Sequence, residues 1–255
     1  LVGGCHIDTM TDDAAWVGAH YCGDVWLAVA FDADGFDHAD VFDGVGDCWL
    51  RYQEAADRLL VDVPVGLPDD GDRECDRLAR RALGPLASAV VSPPVPDAVR
   101  KRRHGVASSV HERQTGEALS EQAFAMSDEI AVLRELLTEF PRAPDVLAES
   151  NPELCCRAIA GAPLERDPAT AGGYAERMRT LASLDRDAPP AVQAAAEAVA
   201  GHDVAVRDVL DAMALAYSAW PGSGDVYSLP PDPPTDAEGY PMRLVYRADG
   251  PLDVA

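Results

Sequence analysis

The sequence predicts an α/β fold: a mixed sheet flanked by helices, with a helical insertion. Three observations carry this expectation. Two apolar runs, Trp16–Ala19 and Val25–Phe31, are separated only by His20, Tyr21, Cys22, Gly23 and Asp24, and so read as a β-hairpin. The run Leu59-Leu60-Val61-Asp62-Val63 is short, apolar apart from one carboxylate, and stopped by Pro64 and Gly66, as a central strand would be. Beyond Arg73 most of the chain has helical spacing.

Taken in order, a third, weaker strand is expected around Ala39–Gly44, then a helix over Cys48–Leu59 carrying Leu50, Ala55, Ala56 and Leu59. The insertion is expected at about 73–140, with one amphipathic helix over Arg73–Leu83 and a longer one over Ser120–Phe140. Ser92-Pro93-Pro94 and the stretch around Gly105 read as loop between them. A strand at Asp145–Ala148 ends at Glu149, and Pro152 opens a helix through Ala160, since proline suits a first helical position. Helical patterns follow near Ala171–Leu184, Pro190–Ala200 and Asp203–Trp220, and Met242–Tyr246 reads as an extra edge strand. The folded domain is expected over 16–246. Residues 1–15 are expected to be a disordered or extraneous N-terminal segment, with Met10 as the natural start, and 247–255 a flexible tail.

The 255 residues are 47% hydrophobic and 25% charged, enough apolar content for a core and too much for a disordered chain. The net charge is -23, and Lys101 is the only lysine among 21 basic residues. Such a surface suits concentrated salt, which screens self-repulsion to within a few Å, so the chain is expected to be halophilic. No two of the six cysteines form a C-x-x-C pair, which speaks against both a zinc finger and a secreted disulfide framework. Free thiols in a reducing, cytoplasmic compartment are expected. No apolar stretch approaches the roughly 18 residues of a membrane span, and no signal peptide is visible.

The chemistry-bearing motifs are Val61-Asp62-Val63-Pro64-Val65-Gly66-Leu67-Pro68, Arg73-Glu74-Cys75-Asp76-Arg77, Ser92-Pro93-Pro94, Leu119-Ser120-Glu121-Gln122, Glu149-Ser150-Asn151-Pro152-Glu153-Leu154 and Arg207-Asp208-Val209-Leu210-Asp211-Ala212. A charge such as Asp62 is costly in a buried strand unless it meets a cation or a strong donor. Asp208 and Asp211, three apart, project from one helix face that also carries Ala212 and Leu215. Carboxylates converging from a strand and a helix make an all-oxygen site suited to Mg²⁺ or Mn²⁺, and two such ions can clamp both oxygens of a phosphodiester. An acidic surface alone would also produce such pairs, given 44 acids. Glu149, at a strand end, is a further candidate; Glu153 also suits the first turn of a helix on dipole grounds. Cys155 and Cys156 read as packed helix residues.

In this order, and from about Val17 to Tyr246, the motifs resemble the uncharacterised family (domain of unknown function 429) predicted to be RNase H-like nucleases. The element order agrees with an RNase H-like domain and also fits other α/β folds. The resemblance implies a metal-dependent nuclease or phosphodiesterase with Asp62, Asp208 and Asp211 as catalytic residues at the metal; Glu149 joins the catalytic set from its place at a strand end, and His20 joins the metal set from its place in the first strand. The chain departs from the family pattern at three places. Where the family resembles G-V-D-G-C followed by G-W, this chain has Gly18-Ala19-His20-Tyr21-Cys22 and then Val25-Trp26. His20 thus stands at the position of the first aspartate, which usually bridges both metals. Neutral histidine can ligate a softer transition metal but cannot replace a bridging carboxylate for Mg²⁺. Asn151 replaces a histidine, and Arg207 the first of an acidic pair.

Arg100-Lys101-Arg102-Arg103-His104 is the one basic run, and reads either as a phosphate-contacting, substrate-binding loop or as a solvated loop. In molar salt phosphate contacts weaken steeply, so such a loop would depend on arginine geometry. The expectation is a nuclease impaired by His20, with nucleic acid as partner and no membrane. The rival is a catalytically silent relative that binds nucleic acid or protein. A nucleotide-handling domain of the actin-like or sugar-kinase type would need a glycine-rich phosphate loop after the hairpin, which Gly23 alone does not supply.

Overall fold

The computed structural model describes residues 15–254. The expected N-terminal segment and Met10 lie, apart from Ala15, outside the described residues. Strands β1 (Ala15–Tyr21) and β2 (Trp26–Asp32) form the expected hairpin, and β3 (Gly35–Phe42) extends it. Helix α1 (Val45–Tyr52) then leads to β4 (Ala56–Val61). The helical spacing read over Cys48–Leu59 therefore covers two elements. Its second half pairs with β1 in parallel, and Ala56 and Leu59 bury as strand residues.

The insertion comprises α2 (Glu74–Leu83), a 3₁₀ segment (Gly84–Ala89), α3 (Pro96–Val99), α4 (His104–Thr115), α5 (Glu121–Ala125) and α6 (Ser127–Glu139). The region around Gly105, expected as loop, is the start of α4. The long helix expected over Ser120–Phe140 is two: Ser120 caps α5 by accepting the Ala123 N–H at 3.1 Å, and the chain re-enters helix at Met126. Asp145 belongs to a short helix, α7 (Ala143–Val146), and the strand β5 (Leu147–Glu149) begins after it. Helices α8 (Pro152–Ala160), α9 (Ala171–Leu184), α10 (Ala188–Ala198) and α11 (Val206–Ala219) follow.

The main sheet has five strands in the order β3-β2-β1-β4-β5, antiparallel within the meander and parallel from β1 through β4 to β5. It is a mixed sheet with helices on both faces, and the alternation in β2 shows the division. Trp26, Ala28 and Ala30 face a core shared with α1 and α6, while Leu27, Val29 and Phe31 face one shared with α9, α10 and α11. Strands β6 (Asp225–Leu229) and β7 (Leu244–Ala248) make a separate two-stranded antiparallel sheet. The last strand is thus no edge of the main sheet. The expected flexible tail is also tied down: β7 runs to Ala248, Leu252 packs on its cluster, and the Leu252 N–H donates to the Tyr246 hydroxyl at 2.9 Å.

Candidate functional site

Register places the site. Gly18 pairs with Leu60 and Ala19 with Val61, so β1 and β4 end side by side, delivering His20 and Asp62 to neighbouring positions. Side chains two apart in a strand share a face. Gly18 and His20 therefore both face α11, as Leu60 and Asp62 do, and Leu60 packs against Ala214 and Leu215 of that helix. Gly18 lets α11 come close. A Cβ there would overlap the Ala216 nitrogen and the Ala212 carbonyl, so no other residue fits without moving the helix. The N-terminal turns of α11 then bring Asp208 and Asp211 over the ends of β1 and β4.

His20 joins these carboxylates. Its Nδ1 lies 2.5 Å from Asp62 Oδ2, and its Nε2 lies 3.5 Å from Asp208 Oδ1 and 4.0 Å from Asp211 Oδ2. The remaining oxygens are also engaged. The Tyr21 N–H donates to Asp62 Oδ1 at 3.0 Å, and the Ala205 N–H to Asp208 Oδ2 at 2.9 Å. Arg207 Nε donates to Asp211 Oδ2 at 3.2 Å.

Burial alone would lower the pKa of His20. The charge of Asp62, the hydrogen bonds to Asp208 and Asp62 and the charge of Asp211 outweigh it and raise the value to about 10. Asp211 is buried, and burial raises its carboxyl to about 6 against the pull of His20 and Arg207. Burial also acts to raise Asp208, but its hydrogen bonds to His20 and Ala205 leave it below the usual carboxylate range. Cys22 adjoins the cluster, and burial together with the charge of Asp208 pushes its thiol up to about 12.

These residues line a cleft of ≈ 360 Å³ at the carboxyl ends of the parallel strands. Glu149 also borders it but is otherwise occupied. It is one strand position out of phase with Asp62: Ala148 pairs with Leu60 on the α11 face, so Glu149 turns to the other. There Arg73 grips it in a two-pronged pair, at 2.8 Å to Oε2 and 2.6 Å to Oε1, and the Val65 N–H donates to Oε2 at 2.8 Å. Arg73 also holds Asp76 at 3.0 and 2.7 Å. All three are buried, and burial pushes the Glu149 carboxyl up against the pull of Arg73. Glu149 thus ties β5 to α2 and is not directed at the His20 cluster. Glu153 pairs likewise with buried Arg177, at 2.9 and 2.6 Å, joining α8 to α9.

The basic run lies elsewhere. Arg100, Lys101, Arg102 and Arg103 connect α3 to α4 and are absent from the lining of this cleft. Arg100, exposed, leans on Asp97 at 3.4 Å. Cys22 is the residue that motif reading missed. The spacing His20-Tyr21-Cys22 at a strand end held the signal, since residues two apart share a face.

The donor set decides which cation fits. Mg²⁺ requires near-octahedral oxygen ligation. Here an imidazole stands among the carboxylates that would supply it, and it presents nitrogen to all three. The residues present do not fit a Mg²⁺ or Mn²⁺ pair. Among the described residues no helix is long and apolar enough to cross a membrane.

No curated protein and no solved structure matches the chain. One family model does, over residues 12–235, which take in the hairpin, the insertion and all four members of the His20 cluster. By that match, spanning most of its length, the chain belongs to the family described as Protein of unknown function (DUF429).

Proposed function

We propose that this chain is an RNase H-like domain of the nuclease type whose Mg²⁺ or Mn²⁺ site has been closed by His20. It would then be a nucleic-acid-binding relative with little or no Mg²⁺-dependent phosphodiesterase activity. One observation carries the reading: a single imidazole contacts Asp62, Asp208 and Asp211. The RNase H-like assignment is supported by a three-stranded meander followed by two parallel strands, with acidic residues delivered from β4 and the last long helix. A cytoplasmic setting suits Cys22, Cys48, Cys75, Cys155 and Cys156, all of which are free thiols.

The test is cleavage of single-stranded, double-stranded and branched DNA and of RNA, in high KCl with Mg²⁺ or Mn²⁺. The unmodified chain is expected to be inactive or nearly so. His20→Asp should gain at least about tenfold, equivalent to about 1.4 kcal/mol of transition-state stabilisation. Robust cleavage by the unmodified chain that Asp62→Asn abolishes would overturn the closure. Robust cleavage that survives Asp62→Asn would place the chemistry elsewhere.

A further inference from the structure

We propose that the closed site is a Zn²⁺ site, with His20 Nε2, Cys22 Sγ and an oxygen of Asp208 as protein ligands and a fourth position open to the cleft. The inference deepens the reading above and rests on it only in that oxygen-ligated Mg²⁺ does not occupy the cluster.

Three features carry it. The first is the donor set. His20, Cys22 and Asp208 each offer a ligand atom, and these atoms lie within 4.8 Å of one another. Nitrogen, sulfur and one carboxylate oxygen make a set for zinc and not for magnesium. The second is spacing. Bond lengths of about 2.0–2.3 Å in a tetrahedron put ligand atoms about 3.3–3.6 Å apart, and His20 Nε2 already lies 3.5 Å from Asp208 Oδ1. The thiol lies within 4.8 Å of the other two ligand atoms. Cys22 sits at the hairpin turn beside Gly23, half-buried.

The third feature is support from behind. A metal-bound histidine usually gives its other N–H to a carboxylate, which fixes the ring. Asp62 holds His20 Nδ1 in that way at 2.5 Å, leaving Nε2 turned toward Asp208. The Ala205 N–H fixes Asp208 through Oδ2, leaving Oδ1 for the metal. In this arrangement Asp62 is a positioning residue and not a ligand. Zinc entry displaces to solvent the Cys22 thiol proton and the Nε2 proton that His20 carries as an imidazolium, so a dication replaces that cation among the carboxylates. The three-ligand count with an open position is that of zinc sites that act on a bound water.

The experiment loads the full chain, stripped with chelator, with Co²⁺ as a spectroscopic stand-in for Zn²⁺. We expect one Co²⁺ per chain, visible bands of tetrahedral strength and a near-ultraviolet thiolate band that Cys22→Ser removes. Zn²⁺ should displace Co²⁺, and Asp62→Asn should weaken Zn²⁺ binding about 10–100-fold. Circular dichroism checks that each variant folds. Independently of any variant, Zn²⁺ should protect Cys22 of the unmodified chain from alkylation, read by peptide mapping. Cys22 is the partly exposed cysteine, and the other four described cysteines are buried. No Co²⁺ bands, a thiolate band that survives Cys22→Ser, or alkylation of Cys22 unaffected by Zn²⁺ would each overturn the zinc site. If zinc fails while His20→Asp still gains Mg²⁺-dependent cleavage, the closed-site reading stands without it.

Discussion

His20 sits where burial and charge pull in opposite directions. Removing an imidazolium from water is costly, yet three carboxylates reach it and hold its pKa at about 10. The pH dependence follows from linkage. A folded-state pKa above the ordinary 6.5 contributes stability that is fully present below pH 6.5 and is lost as pH rises through about 10. His20→Asn carries no such titration. The stability gap between the two proteins should therefore be widest near pH 6.5 and shrink by at least about 1.4 kcal/mol, the equivalent of one pKa unit, towards pH 10. Urea denaturation across that range measures it, and a constant gap would show that His20 is not held in its charged form. At this scale the sequence was informative where chemistry clashed with setting. Asp62 was the lone charge in an apolar run, and Asp208 and Asp211 had the spacing of one helix face. The direction of Glu149 was not legible, because it depends on the strand register of β5 against β4 and on the partner Arg73, 76 positions away in sequence.

At the scale of elements, the site is built by the crossing of β1 and α11. Gly18 permits that crossing, and a methyl group there has only backbone to displace. Gly18→Ala should destabilise the fold by about 1–3 kcal/mol, as overpacking of a filled core does, and it should push α11 away from the strand ends. The second effect is specific. Asp208 and Asp211 ride on α11 while Asp62 follows β4, so the histidine should lose the former pair and keep the latter partner. NMR of the His20 ring should show its pKa falling toward the ordinary value, whereas a stable variant with an unchanged ring pKa would contradict the role of Gly18. The hairpin, α8 and α9 were legible from local pattern. The boundary between α1 and β4 was not, since Ala55, Ala56 and Leu59 satisfy helical and strand spacing alike until pairing with β1 decides. The break at Met126 was likewise invisible to periodicity that continues across it.

At the scale of the whole molecule, composition speaks louder than topology. A net charge of -23 with a single lysine leaves carboxylates repelling across the surface, and the repulsion is relieved by screening. The melting temperature should rise steadily with KCl from low concentration into the molar range, and a flat response would remove the case for salt adaptation. The separate β6–β7 sheet and the packed tail were beyond the sequence reading, because long-range packing of Leu244, Tyr246 and Leu252 against α2 and α8 determines them. The same long-range logic joins the cluster, whose members come from β1, from the end of β4 and from α11, and whose meeting point is His20. The most direct measurement of that central claim is calorimetric titration of Mg²⁺ into the unmodified chain and into His20→Asp, at one fixed KCl concentration. The account predicts no saturable heat from the unmodified chain and a saturable isotherm from His20→Asp. Saturable Mg²⁺ binding by the unmodified chain that is lost in Asp62→Asn would contradict it.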